Sequence, residues 1–142
     1  MFSKAESRNL RQEFWTSFGK SFPRKWLLYN TKIKGVAFKF HFDTTSALIV
    51  LDLEDDIENR INCWEKLVAL KNILQTDYLP DTIYSETFML ENGKDISRIY
   101  VQLKQKVSIH NKNTWRDVMQ FFNTNMPLFE AFFEDYYDII KS

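Results

Sequence analysis

The chain has 142 residues, of which 44 % are hydrophobic and 16 % aromatic, which excludes a disordered protein and predicts one folded domain over residues 1–142. Its single cysteine excludes an internal disulfide, and no apolar run approaches the ~20 residues of a membrane span. We therefore predict a cytoplasmic protein without membrane contact. The net charge is zero, but residues 1–40 carry nine Lys and Arg against two Asp and Glu. This basic third predicts complementarity with the acidic remainder of the fold, with nucleic-acid binding as the alternative.

The first predicted helix runs from Ser3 to about Ser21. Ser3 and Glu6 match a capping box, in which each side chain accepts a hydrogen bond from the backbone of the other residue. Large apolar side chains then recur every four residues, at Leu10, Phe14, Phe18 and Phe22. The next segment, Trp26 to Lys34, is interpreted as a first strand.

A β-hairpin follows, and it is the firmest structural prediction. Val36 to Phe42 alternates apolar and polar side chains, and Ala47 to Leu53 is apolar on both faces except at Asp52. A four-residue turn between these strands predicts the pairs Phe42–Ala47, Phe40–Ile49, Phe38–Leu51 and Val36–Leu53. The same register places Lys39, His41 and Asp52 together on the opposite face.

The second predicted helix opens with the acidic run Glu54-Asp55-Asp56 and continues to about Thr76. Acidic side chains suit the positive end of a helix dipole, so we interpret the run as a cap, with a metal site as the alternative. The predicted buried stripe consists of Ile57, Ile61, Trp64, Leu67, Val68, Leu70 and Leu74.

A second hairpin is predicted from Ile83–Glu91 and Ile96–Leu103, which flank the turn dipeptide Asn92-Gly93. A two-residue turn pairs Glu91 with Lys94. In that register one face carries Tyr84, Phe88, Ile99, Val101 and Leu103. The segment Val107–His110 is interpreted as a short edge strand.

The last predicted helix begins at Asn113 or Thr114 and runs to the C-terminus. Pro127 predicts a kink or a split near Asn125, because its ring removes a backbone hydrogen bond. Apolar side chains also lie off the main stripe, at Phe121, Leu128, Phe132 and Tyr137. This excess predicts either a deeply buried helix or a surface that docks a second copy or a protein partner.

Taken together, the predicted elements follow the order α-β-β-β-α-β-β-α. Separate blocks of strands and helices indicate an α+β fold, with a mixed or antiparallel sheet covered by helices.

The chemistry-bearing motifs are few. Three glycines cannot form a phosphate-binding loop, His41 and His110 lie in unrelated segments, and Cys63 is interpreted as a buried, unreactive thiol.

One cluster resembles the metal site of PD-(D/E)XK nucleases, in which strand carboxylates hold Mg²⁺ and a lysine assists the attacking water. Its members here are Asp43, Asp52 and Glu54, with Lys39 replacing the lysine that the motif expects at Glu54. The alternative interpretation is an ordinary strand surface with a Lys–Asp pair.

Several motifs match one known family. They are Leu-Arg-x-x-Phe-Trp-x-x-Phe from Leu10 to Phe18, the strand-like Lys34–Phe40, the apolar Ala47–Asp52, Trp64–Leu67, and Trp115–Phe122. In these motifs the chain resembles a bacterial family of uncharacterised domains, found alone or joined to nuclease-like regions. The resemblance implies a cytosolic bacterial protein and brings no established catalytic residues.

The sequence therefore predicts a non-enzymatic interaction or accessory domain without a cofactor, which self-associates through its aromatic C-terminal helix. The alternative is a divergent or inactive metal-dependent nuclease that uses Asp43, Asp52, Glu54 and Lys39 with Mg²⁺.

Overall fold

A computed structural model describes residues 2–142 and confirms the α+β class. The helices are α1 (Lys4–Ser21), α2 (Ile57–Ala69), α3 (Lys71–Asp77), α4 (Trp115–Asp135) and α5 (Tyr137–Lys141), with a 3₁₀ turn at Lys112–Thr114. The strands are β1 (Val36–Phe42), β2 (Ala47–Leu53), β3 (Ile83–Met89) and β4 (Asp95–Gln102). Ser3 caps α1 through the predicted capping box with Glu6.

The four strands form one antiparallel sheet in the order β1-β2-β4-β3. The four predicted pairs of the first hairpin are all confirmed, from Phe42 opposite Ala47 to Val36 opposite Leu53. The register followed from sequence because a shift by one residue would turn the apolar face of β1 toward water.

Helices α1, α2 and α4 pack on one face of the sheet, here called the helical face. Phe14 of α1 contacts Phe42, with ring centroids 4.7 Å apart, and Phe122 of α4 lies 4.8 Å from Phe40. Every aromatic contact between helix and sheet recorded for residues 2–142 lies on this face. On the opposite face, Lys39 Nζ lies 6.0 Å from the ring centre of Tyr29, a residue of the segment between α1 and β1.

The predicted strand from Trp26 to Lys34 is wrong, because these residues belong to a loop between α1 and β1. Leu28 and Lys32 have positive φ angles of 48° and 63°, which end any extended run. The Leu28 carbonyl nevertheless accepts a hydrogen bond from the Phe38 amide at the outer edge of β1.

The buried carboxylate of Glu130, on α4, holds this loop in place. It accepts hydrogen bonds from the Leu27 amide at 2.7 Å and from Arg24 at 3.1 Å. Local sequence carries no information about a contact between residues more than 100 positions apart, so the sequence pattern predicts a strand where the structure has a loop.

The second predicted helix is divided at Leu70 into α2 and α3, and its buried stripe is partly wrong. Ile57, Ile61 and Val68 are 60 %, 43 % and 44 % exposed. The buried side of α2 is formed by Cys63, Trp64 and Leu67. Of these residues, Cys63 and Leu67 lie roughly a third of a turn around the helix from the exposed stripe. Two adjacent apolar stripes were present, and the sequence pattern alone did not distinguish them.

The C-terminal helix is not split near Asn125, since α4 runs without interruption through Pro127 to Asp135. The helix axis breaks at Tyr136, where φ is −112° and ψ is 17°. Phe121 and Phe132, which lie off the predicted stripe, are both buried within the chain's own core.

The second hairpin has a different turn from the predicted one. Leu90, not Glu91, pairs with Lys94, and Gly93 has a φ of +84°. This three-residue loop is a type I turn followed by a left-handed glycine.

A β-bulge shifts the register of β3. Ser85 pairs with Arg98, but Phe88 pairs with Ile96, so β3 carries one extra residue between these pairs. The bulge turns Phe88 to the face opposite Tyr84, where the simple alternation of the sequence did not place it. The predicted edge strand Val107–His110 is also wrong: this segment is irregular and is held by a bond from the Ile109 amide to the Asp43 carbonyl.

Candidate functional site

The sheet face opposite the helices is called the polar face, and it contains most of the predicted site residues. Alternation along the strands gives it three residues each from β1 and β2 and four from β4: Ala37, Lys39, His41, Leu48, Val50, Asp52, Ile96, Arg98, Tyr100 and Gln102. Its centre is buried although no helix-to-sheet aromatic contact recorded for residues 2–142 lies there.

A buried ion pair between Asp52 and Arg98 lies at the centre of this face. The two residues are directly opposite each other on β2 and β4. Arg98 Nε donates to Asp52 Oδ1 at 2.7 Å and Arg98 Nη2 donates to Oδ2 at 2.9 Å, while the Asp52 side chain is 0 % exposed. A forked pair of this kind satisfies both carboxylate oxygens at once.

Further charges extend this pair toward one end of the face. Lys39 Nζ lies 3.4 Å from Asp52 Oδ2 and 3.0 Å from Glu54 Oε2, and Lys94 lies 3.7 Å from Glu54. Burial acts to lower the pKa of Lys39, but its bond to Glu54 and the nearby carboxylates raise that pKa above its ordinary value. Burial acts in turn to raise the pKa of Glu54, and Lys39 and Lys94 together lower it. Alternating charges therefore stabilise one another in their ionised forms.

Asp43 lies apart from this network, in the turn after β1. Ala37 pairs with Asp52, and Asp43 follows six residues later, roughly 20 Å along the strand direction. Its carboxylate accepts hydrogen bonds from the Thr45 and Ser46 amides, both at 2.8 Å, and contacts His41 Nε2 at 2.8 Å. Burial acts to raise the pKa of Asp43, but these partners lower it to about 2.

The structure thus brings Lys39, Asp52 and Glu54 together and leaves Asp43 at the other end. Among residues 2–142 there is no group of three or more His, Cys, Asp or Glu side chains arranged to hold a metal ion. Coordination of Mg²⁺ by Asp52 would require the bonds to Arg98 to break. The Mg²⁺ site of the nuclease hypothesis stays a prediction.

A groove of about 480 Å³ crosses the polar face, between the β1–β2 turn and the β3–β4 hairpin. Phe88 contributes one wall because of the bulge, and the Arg98 guanidinium carbon lies 4.3 Å from the centre of its ring. The lining residues include His41, Leu48, Phe88, Met89, Glu91, Tyr100 and Gln102.

The remaining candidates lie elsewhere. His110 Nε2 lies 2.8 Å from the Ser7 hydroxyl, and the centre of its ring lies 4.4 Å from that of Phe2, with the two planes tilted by 37°. Cys63 is buried on α2, and burial raises the pKa of its thiol. His110 thus packs against α1 and Cys63 packs within the core from α2, and the burial of Cys63 agrees with its sequence prediction.

Sequence reasoning did not identify the roles of Arg98 and Phe88 on this face. The partner of Asp52 depends on the pairing of β2 with β4, which are separated by two helices and a strand. A lone carboxylate in an otherwise apolar strand was the available signal, because a buried charge requires a partner.

A scan against protein-family models matches residues 10–137 to the domain of unknown function DUF4268. The chain belongs to this family. No match was found among curated proteins or among solved structures. The helices of residues 2–142 do not include one with the length and apolar character needed to cross a membrane.

Proposed function

We propose that this member of the family is a non-enzymatic interaction domain that binds a protein segment in the groove of the polar face. The segment carries a large apolar side chain next to a lysine or arginine. The observation that supports the proposal most directly is a groove with apolar walls and an acidic rim, beside charges that are already paired with one another.

The apolar character of the groove favours a side-chain anchor. Met89 is 62 % exposed, and Phe88, Leu48 and Tyr100 line the same space. Aromatic and methionine side chains at a concave surface are typical of the positions that supply most of the binding energy in protein interfaces.

The charge of the rim favours a basic neighbour. Asp43 and Glu91 line the groove at its rim, and Asp43 stays ionised because its pKa is about 2. The positive charge of Arg98 is neutralised by Asp52. A lysine or arginine of the bound segment would therefore meet a negative surface, which increases association rate and selectivity.

The test is selection of binders from a random peptide display library, followed by affinity measurement with the chain and two variants. We expect enriched peptides to combine an aromatic or large aliphatic residue with Lys or Arg. Met89→Asp should weaken their binding about tenfold or more, because it puts a charge in the apolar wall. The matched control, Val68→Asp, changes an exposed apolar residue on α2 and should leave the affinity unchanged. Peptides without these features, or equal affinities for both variants, would refute the proposal.

Two earlier hypotheses stay predictions beside this one. Self-association through α4 would have to use Leu128, its exposed large aliphatic side chain, since Phe121 and Phe132 are buried within the chain. Light scattering tests it: Leu128→Asp should convert a dimer to a monomer, and a wild-type monomer at high concentration would contradict it. The divergent nuclease using Asp43, Asp52 and Glu54 is tested by metal titration.

A further inference from the structure

A second cavity lies away from the polar face, between the end of the α1–β1 loop, α2 and α5. Its volume is about 260 Å³. We call it the basic pocket, and its lining residues are Ile33, Lys34, Gly35, Val36, Leu53, Asp55, Asn59, Arg60, Asn62, Cys63, Lys66, Ile140 and Lys141. The three segments that supply these residues are distant in sequence, so the pocket exists only in the folded chain.

Positive charge is concentrated in this pocket. Four cationic side chains line it, against the single carboxylate of Asp55: Lys34, Arg60, Lys66 and Lys141. Within residues 2–142, no salt bridge joins any of these four cations to a carboxylate. Arg60 donates to the Asp95 carbonyl at 2.9 Å, which orients its guanidinium without neutralising it. The surplus of positive charge is therefore available to a ligand.

The backbone around the pocket is constrained at Gly35. Its φ is +79°, and a Cβ at this position would lie 2.6 Å from Asp55 Cβ. The Gly35 carbonyl accepts a hydrogen bond from the Glu54 amide at 2.7 Å. This close approach fixes the loop that carries Lys34 against the segment that leads into α2, so the cations of the two segments face a common space.

The other lining groups indicate what kind of anion fits. The amide of Asn62 adds a neutral hydrogen-bonding group, whereas Asn59 Nδ2 already donates to Asp56 Oδ2 at 2.8 Å. Leu53 and Ile140 supply apolar surface. Several cations with additional donors suit the oxygens of a phosphate, which accepts many hydrogen bonds and carries close to two negative charges. A concave space of this size suits a small molecule, because a nucleic-acid backbone requires an extended groove.

We propose that the basic pocket binds a small molecule through a phosphate or pyrophosphate group. The anion lies between Lys34 on the loop and Arg60 and Lys66 on α2, with Lys141 closing the pocket from α5. This site is separate from the peptide groove, so either proposal can fail without the other.

The experiment is calorimetric titration of the full chain with inorganic phosphate and with pyrophosphate, at a constant ionic strength near 0.15 M, where the Debye length is about 8 Å. We expect saturable binding, tighter for pyrophosphate because it carries more charge. Lys34→Gln and Lys66→Gln should each weaken binding about tenfold, the effect of losing one charged hydrogen bond. Lys104→Gln is the matched control, because Lys104 is exposed and its salt bridge is with Asp81.

Chemical shift changes on the ¹⁵N amides locate the anion independently of the variants. We expect the largest changes at Gly35, Asn59 and Cys63, which line the pocket. The proposal is overturned by the absence of saturable binding, or by equal weakening in Lys104→Gln. It is likewise overturned if the shifts cluster on the basic residues of α1 instead.

Discussion

Replacing Arg98 by methionine should destabilise the fold strongly, because it leaves the Asp52 carboxylate buried without its main partner. The side chain of Asp52 is 0 % exposed and receives two charged hydrogen bonds from Arg98. Breaking a buried pair from one side costs about 3–5 kcal/mol. Lys39 remains 3.4 Å from Asp52 as a second cation, so we expect the lower value, about 3 kcal/mol.

Urea denaturation followed by circular dichroism measures this loss. With a slope of about 2 kcal/mol per molar urea, the midpoint should fall by about 1.5 M. The double variant Asp52→Leu with Arg98→Met removes both charges and should lie within about 1 kcal/mol of the wild type, because no unpaired charge remains. A single-variant loss under about 1 kcal/mol, or a double variant as unstable as the sum of both singles, would refute this account of the pair.

Three further predictions concern a glycine, a carboxylate and a metal. Gly35→Ala should lower the free energy of unfolding by about 2 kcal/mol, because the new Cβ would clash with Asp55 and the residue would keep a positive φ. Gly19→Ala is the control: it lies in a helix, its new Cβ would have no neighbour within 4 Å, and it should raise the free energy of unfolding by about 0.5–1 kcal/mol. A loss of stability in both variants would contradict this. Asp43→Asn should cost about 1 kcal/mol at pH 7, allowing for solvent screening of a half-exposed group. Folding lowers the pKa of Asp43 from 3.8 to about 2, so the ionised carboxylate stabilises the fold above about pH 4. The difference in free energy of unfolding between Asp43→Asn and the wild type, measured by urea denaturation, should therefore vanish as the pH falls through 2. Millimolar Mg²⁺ or Mn²⁺ should leave the melting temperature unchanged if the acids of the polar face act only in ion pairs; a rise that Asp52→Asn abolishes would favour the nuclease hypothesis.

The parts of the fold that the sequence predicted correctly are those determined by residues close together in the chain. The β1–β2 register followed from alternation, and the α1 cap followed from the spacing of Ser3 and Glu6. The α1–β1 loop was mistaken for a strand because its conformation depends on Glu130, more than 100 residues away. Which of the two apolar stripes on α2 is buried depends on where the sheet lies, and the helical periodicity of the sequence carries no information about that position.

The candidate site divides in the same way. The proximity of Lys39 and Asp52 followed from the hairpin alone. Arg98 and the basic pocket did not, because each requires elements that meet only after folding. The sequence does contain an acidic motif that resembles a nuclease site, but the strand geometry separates Asp43 from the other carboxylates.

The bulge in β3 makes that strand tolerant of the loss of one residue in a way that its neighbours are not. Ser85 and Phe88 lie on the same face although two residues separate them, because one of those two is extra. Deleting either Glu86 or Thr87 would leave a regular ladder in which Ser85 still pairs with Arg98 and Phe88 still pairs with Ile96. A single-codon deletion at this point would therefore preserve both the hairpin and the wall of the groove, whereas the deletion of one residue from β1 or β2 would turn every later side chain of that strand to the opposite face.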